Sequence, residues 1–149
     1  MPPSDTPRLS ACVITLNEAD RIAACLESLA FCDEVVVVDS GSTDGTRGVA
    51  AAHRARVIEH AFEGFRAQKD FAVSLARHDW VLCLDADERV TDRLARSIRD
   101  ALAAPRYKAW RMARRNRFLG RWLAHGEGYP DWSLRLFHRG HASWSSSER

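Results

Sequence analysis

Long apolar runs are what this 149-residue sequence most plainly lacks. The longest, "ACVITL" and "VVVV", are of strand length, far short of the roughly 20 residues that cross a bilayer as a helix. Cysteine is sparse. Cys12, Cys25, Cys32 and Cys83 form no CxxC pair and have no histidine at zinc-finger spacing, which argues against a zinc module or a disulfide framework and for core thiols. No two of the six histidines make an HxxxH pair, and His138 with His141 is too little for a metal site. Neither GxGxxG nor GKS/T occurs, so the two commonest glycine-rich phosphate loops are excluded. Repeats, low-complexity tracts and a charged-then-apolar leader are also missing. Residues 1–8 are therefore expected to be a short disordered lead-in and the protein cytoplasmic.

What is present suits one globular domain: 46% hydrophobic and 28% charged residues. The net charge of +2 conceals a split. Residues 1–105 carry 12 Lys/Arg against 17 Asp/Glu, a balance of −5; residues 106–149 carry 10 against 3, a balance of +7. The last third has a different electrostatic task from the rest.

Periodicity divides the first part cleanly. "LSACVIT", "EVVVVD", "ARVIEH" and "WVLCL" read as strands. Between them, "EADRIAACLESLA", "TRGVAAAHR" and "FRAQKDFAVSLAR" read as helices, the second capped by Asp44 and the third burying Phe71, Ala72 and Leu75. "TDRLARSIRDALAA" is a fourth helix, opened by Thr91 and stopped before Pro105. Alternation of this kind, with strands apolar on both faces, predicts an α/β fold with a parallel-rich sheet and flanking helices. Beyond Pro105, "YKAWRMARRNRF" reads as a strand leaving the sheet, "LGRWLAHGEGYPDWS" as loop and "LRLFHR" as a closing strand.

Open parallel sheets bind ligands beyond the carboxyl ends of their strands, and three polar clusters fall there: "TLNE", "DSGSTDGT" and "DADE". If strand geometry persists, Asp85 and Asp87 point to one side. Two adjacent carboxylates repel unless a cation lies among them, and magnesium takes one or two protein carboxylates, with phosphates and water completing its shell. A short DxD motif therefore points to a metal–diphosphate site; the bland alternative is that the acids decorate the approach to the helix at Thr91. In "DSGSTDGT", Asp39 and Asp44 would repel a bare phosphate, so acceptance of hydrogen bonds from a base or ribose fits better. "TLNE" offers Thr15, Asn17 and Glu18, although Asn17 could simply cap the next helix. DxD also follows a strand in phosphohydrolases of the haloacid-dehalogenase type, but there on the first strand as DxDGT.

The series "VITLNEADRIAACLESL", "VVVVDSGSTDGT" and "WVLCLDADE" resembles family 2 glycosyltransferases, whose fold is the nucleotide-diphospho-sugar transferase (GT-A) type. "GFRAQKDFAV" and the stretch from "RRNRFLGRWLAHG" to "LRLFHRG" are similar to the bacterial lipopolysaccharide-core β-glucosyltransferase branch. The resemblance implies a nucleotide-sugar donor contacted by Thr15, Asn17, Glu18, Asp39, Ser40, Lys69 and Asp85, with Mg²⁺ or Mn²⁺ on Asp87 and Asp85. It further implies inverting transfer to an anionic glycolipid or saccharide acceptor. On this basis residues 9–105 form the nucleotide-sugar-binding core and residues 106–149 a basic acceptor-side segment.

That segment holds seven Lys/Arg and no acid between Arg106 and Arg121, interleaved with Tyr107, Trp110 and Phe118. The acidic remainder and the want of a nucleic-acid motif argue against nucleic acid and for an anionic acceptor or peripheral contact with anionic lipid at the inner membrane. An inverting transferase needs a base; the resembling branch has a His-Glu segment after "RLF", where this sequence has Ser147-Glu148 near its end, so no base is assigned. The segment looks truncated, which leaves a non-catalytic or partner-dependent nucleotide-sugar-binding module as the alternative.

Overall fold

The structure is a computed structural model that describes the backbone of residues 6–104, 109–114, 117–118, 121–122 and 131–140, and the side chains of 6–104 and 135–140. The side chains of the Arg106–Arg121 basic cluster, the segment 123–130 and Ser147-Glu148 lie outside these residues, as does most of the lead-in.

Strands β1 (Leu9–Thr15), β2 (Glu34–Asp39), β3 (Arg56–Glu59) and β4 (Trp80–Asp85) form where the β-branched and apolar runs predict them. They alternate with helices α1 (Ile22–Glu27), α2 (Thr46–Ala52), α3 (Phe65–Ser74) and α4 (Asp92–Ala103). Then come β5 (Ala109–Arg114), β6 (Arg117–Phe118), β7 (Arg121–Trp122) and β8 (Asp131–His138). The main sheet has the order β3-β2-β1-β4-β8-β5. Pairs β1–β2, β1–β4 and β2–β3 are parallel; β8 runs antiparallel to both β4 and β5.

The sheet is parallel-rich as expected, with β8 inserted beside β4 against the parallel direction. Three details change. β5 stays in this sheet as an edge strand with a bulge between Met112 and Arg114, and the "loop-like" stretch contributes β7, paired with β6. Helix α1 is shorter than its apolar stripe; Leu29 is still fully buried, but in the turn beyond the helix.

Side-chain alternation along each strand splits the core into two layers. Ala11, Val13, Val37, Leu82 and Leu84 pack with Ile22, Leu26, Ile98 and Leu102 of α1 and α4. Cys12, Ile14, Val36, Val38, Val81 and Cys83 pack under Ala72 and Val73 of α3. Each fully buried Leu, Ile or Val contributes about 1.5–3 kcal/mol, so both faces of β1, β2 and β4 are fixed in register. Cys12, Cys25 and Cys83 are buried free thiols, as expected; Cys32 is half-buried and free. Thr91 caps α4 by accepting a hydrogen bond from the Leu94 N–H at 3.1 Å.

Candidate functional site

The carboxyl ends of β1 and β2 are laced together by side-chain bonds to backbone. The Asn17 N–H donates to Ser42 Oγ at 2.8 Å, and the Thr43 N–H donates to Asn17 Oδ1 at 2.8 Å. Asn17 adopts φ 51°, a left-handed conformation that asparagine tolerates better than most residues. The Glu18 N–H donates to Thr46 Oγ1 at 2.9 Å. Asp44 accepts from the Ala19 N–H at 3.2 Å and from both the N–H and the hydroxyl of Thr46. The Thr46 hydroxyl chiefly holds the Asp44 carboxyl below its ordinary range. Asp44 thus serves α2 as the expected cap would, but from one position before the N-cap, Gly45. Asp39 is fully buried. Its Oδ2 accepts from the N–H groups of Gly41 and Ser42 at 2.9 and 2.8 Å, and its Oδ1 accepts from Ser42 Oγ at 2.5 Å. The Asp39 carboxylate is committed to its own loop, and it is the next residue, Ser40, that lines the adjoining cleft.

At the end of β4 the expected alternation stops at Asp85. The Glu88 N–H donates to the Asp85 carbonyl at 3.0 Å, closing a turn, and this turn brings Asp87 beside Asp85. It also brings in a third acid, which the DxD spacing did not single out. Glu88 is buried, and its Oε1 accepts from the Asp85 N–H at 2.6 Å. Carboxylate oxygens of Asp85, Asp87 and Glu88 lie within 4.8 Å of one another. Lys69 of α3, mostly buried, places Nζ 3.9 Å from Asp85 Oδ1, which makes it more than a solvated helix lysine. Counted over these four side chains alone, three carboxylates and one ammonium sum to a formal −2, the sign that attracts a divalent cation. Hard oxygen donors suit Mg²⁺ or Mn²⁺, so the residues fit the expected ion. The negative field reaches the buried Cys25 thiol behind the cluster: burial first, and then Glu88, Asp87 and Asp85, push it well above its ordinary value.

Between these two groups of loops opens a cleft of about 340 Å³. Thr15, Glu18, Ser40, Gln68, Asp85 and Asp87 form its polar wall. Leu16, Phe62 and Phe65, all substantially exposed, form an apolar lip. Thr15 Oγ1 is buried and has no hydrogen-bond partner among the described residues, unusual for a buried polar atom. Glu18 is ion-paired to Arg21 at 2.6 Å. Of the eight residues expected from the sequence, the cleft lines itself with Thr15, Glu18, Ser40, Asp85 and Asp87, and Lys69 contacts it through Asp85. Asn17 and Asp39 build its loops instead. Gln68, Phe62 and Phe65 escaped sequence reading. The one signal was two phenylalanines flanking a glycine outside any apolar stripe.

Residues 10–145 match the family described as Glycosyl transferase family 2. The chain is 35% identical over 147 residues to the lipopolysaccharide core biosynthesis glycosyltransferase LpsC of Rhizobium meliloti (strain 1021), covering 95% of this chain and 54% of that protein. It is 42% identical over 109 residues to an uncharacterized glycosyltransferase of Rickettsia felis, covering 70% and 38%. Among solved structures it superposes on residues 1–349 of S. aureus TarS in complex with UDP, with TM-score 0.62 and 25% identity over 76% of this chain and 37% of that one. It also superposes on mannosyl-3-phosphoglycerate synthase from Rubrobacter xylanophilus, with TM-score 0.60 and 29% identity over 69% and 38%. The fold is that of the GT-A class of nucleotide-diphospho-sugar transferases. Within that class, the chain belongs to glycosyl transferase family 2. It spans about half the length of LpsC and less of the Rickettsia felis relative.

Proposed function

We propose that the protein moves a sugar from a nucleotide-sugar donor to a lipopolysaccharide-core or other surface-glycan acceptor, with Mg²⁺ or Mn²⁺ at Asp85 and Asp87 and inversion at the sugar's anomeric carbon. The observation that carries this reading is the convergence of Asp85, Asp87 and Glu88 at one end of a cleft whose other end is apolar. A nucleoside diphosphate has that same division, charged at one end and flat and apolar at the other. The bound ion would supply Lewis acidity, offsetting charge on the departing diphosphate. Asp85 and Asp87 would hold it, Glu88 fixes the turn that presents them, and Lys69 adds a positive charge beside the phosphates' expected place.

LpsC is named for lipopolysaccharide core biosynthesis, and the +7 balance of residues 106–149 suits an anionic acceptor. Such acceptors are assembled on lipid, which would place the protein at the cytosolic face of the inner membrane. The matched relatives are named as transferases, which favours transfer over donor binding alone. In calorimetry, Asp87→Ala should abolish Mn²⁺-dependent UDP binding while circular dichroism stays native; unchanged UDP affinity would overturn the metal assignment. For the membrane contact, sedimentation at low salt should show preference for anionic over neutral vesicles, and equal binding would exclude it.

A further inference from the structure

Arginines elsewhere in the described residues hold carboxylates: Arg21 pairs with Glu18, Arg47 with Glu59, Arg56 and Arg77 with Glu34, and Arg139 with Asp79. Arg89, Arg93, Arg96 and Arg99 do not. All four are exposed, and among the described residues none of their guanidinium groups has an ion pair or a hydrogen bond. Arg99 has a ring contact alone, 5.1 Å from the Phe31 centroid. Asp92 and Asp100, the two acids of the same stretch, are not paired to them either. Asp92 stands instead in the first turn of α4, where the helix dipole favours an acid.

The helix sets these arginines in a row. Ala95, Ile98 and Leu102 are buried in the core layer that holds Leu82 and Leu136, and Arg93, Arg96 and Arg99 recur every three residues on the solvent side. At about 1.5 Å of rise per residue they span about 9 Å. Arg89 prolongs the row from the turn that follows Glu88, so it starts beside the three acids of the cleft. With its apolar stripe already buried, α4 offers a partner charge and nothing to insert.

The sequence changes sign at the same place. Residues 1–88 carry 8 Lys/Arg against 15 Asp/Glu, a balance of −7, and residues 89–121 carry 11 against 2, a balance of +9. The chain returns from α4 as β5, at the β8 end of the sheet. A split of this kind attracts an extended anionic surface to one side of a protein and repels it from the other, which fixes orientation as well as affinity.

We propose that Arg89 and the arginine row of α4 form a docking face for an anionic lipid bilayer, holding the acid end of the cleft next to the membrane surface. This inference rests on the membrane-contact reading above and adds to it a surface outside residues 106–149. Headgroup phosphates accept charge-assisted hydrogen bonds from guanidinium groups, and each arginine near such a surface is worth about fivefold in affinity.

Sedimentation with phosphatidylglycerol and with phosphatidylcholine vesicles at low salt tests it. Arg93→Gln with Arg96→Gln, a change that keeps helix propensity, should weaken binding to the anionic vesicles about 20- to 30-fold. Its melting temperature and its UDP affinity with Mn²⁺ should match the parent. Arg8→Gln with Arg54→Gln removes the same charge from exposed positions just before β1 and β3; at that distance screening should hold the loss below about twofold. Binding should vanish at about 1 M salt, where the screening length is about 3 Å; binding that survives would mean apolar insertion and would overturn the electrostatic face. Unchanged vesicle binding in the α4 variant, or an equal loss in the Arg8 and Arg54 variant, also overturns it and leaves membrane contact to residues 106–149. If the α4 variant instead lost affinity for a soluble acidic oligosaccharide and kept it for vesicles, the row would belong to the acceptor. A parent protein with no preference for anionic vesicles would sink the membrane reading and this inference together.

Discussion

The two rims of the parallel strands are built on opposite electrostatic plans. At the amino rim the acids Asp33, Glu34 and Asp79 each meet a donor. Glu34 accepts from Ser10 Oγ and the Arg77 N–H, each at 2.8 Å, and pairs with the Arg77 and Arg56 guanidinium groups at 3.4 and 3.6 Å. Asp33 accepts from the Leu9 N–H at 2.8 Å. Arg139 reaches Asp79 at 3.2 Å and donates to the carbonyls of Val73 and Ala76. At the carboxyl rim three carboxylates lie within 4.8 Å of one another, Lys69 is ion-paired to Asp85, and the buried Thr15 hydroxyl has no partner among the described residues. Acids are as much a part of one rim as of the other. What separates scaffold from site is that one rim spaces its acids among donors and the other gathers three within reach of one cation.

That contrast can be broken at four points. Glu34→Ala should lower the unfolding free energy by about 3 kcal/mol in urea titration, since it strands buried donors and a guanidinium; UDP affinity of the folded protein should be unchanged. A loss below about 1 kcal/mol would mean that the amino rim is not a closed network. Asn17→Ala should cost about 2 kcal/mol, combining the lost Thr43 bond with left-handed strain. Asn17→Gly should cost about half as much, having no Cβ to strain. Glu88→Gln keeps the acceptor for the Asp85 N–H but removes charge, so Mn²⁺ affinity should drop about tenfold with little change in melting temperature. If stability fell and metal affinity held, Glu88 would belong to the scaffold. The smallest effect concerns Asp44. Its carboxyl is depressed in the folded state below the ordinary value of 3.8, so its contribution is present above about pH 4 and lost as pH falls through the folded value. The stability gap between parent and Asp44→Asn should therefore close on acidification.

The strands were legible because β1, β2 and β4 are apolar on both faces, and no helical period competes with such runs. The acids of "DADE" were legible as types, but their arrangement was not. Alternation predicts that Asp85 and Asp87 share a strand face, whereas a turn closed by the Glu88 N–H assembles them and adds Glu88. The self-contained role of Asp39 was within reach, since Asp followed by Ser-Gly-Ser is a side-chain-to-backbone turn pattern. Gln68 was not, because its partners lie 8 and 28 positions away and a lone glutamine in a helix looks like surface. The place of β8 was equally hidden: pairing direction late in the chain leaves no mark on local periodicity.

That direction decides which part of the polypeptide visits the acids. Because β8 opposes β4, with Cys83 beside Arg135 and Trp80 beside His138, the backbone enters β8 at Asp131 on the Asp85 side and leaves at the far side, where the Arg139 N–H meets the Asp79 carbonyl. A parallel strand would have reversed this traffic and delivered its first residues to the Glu34 network instead.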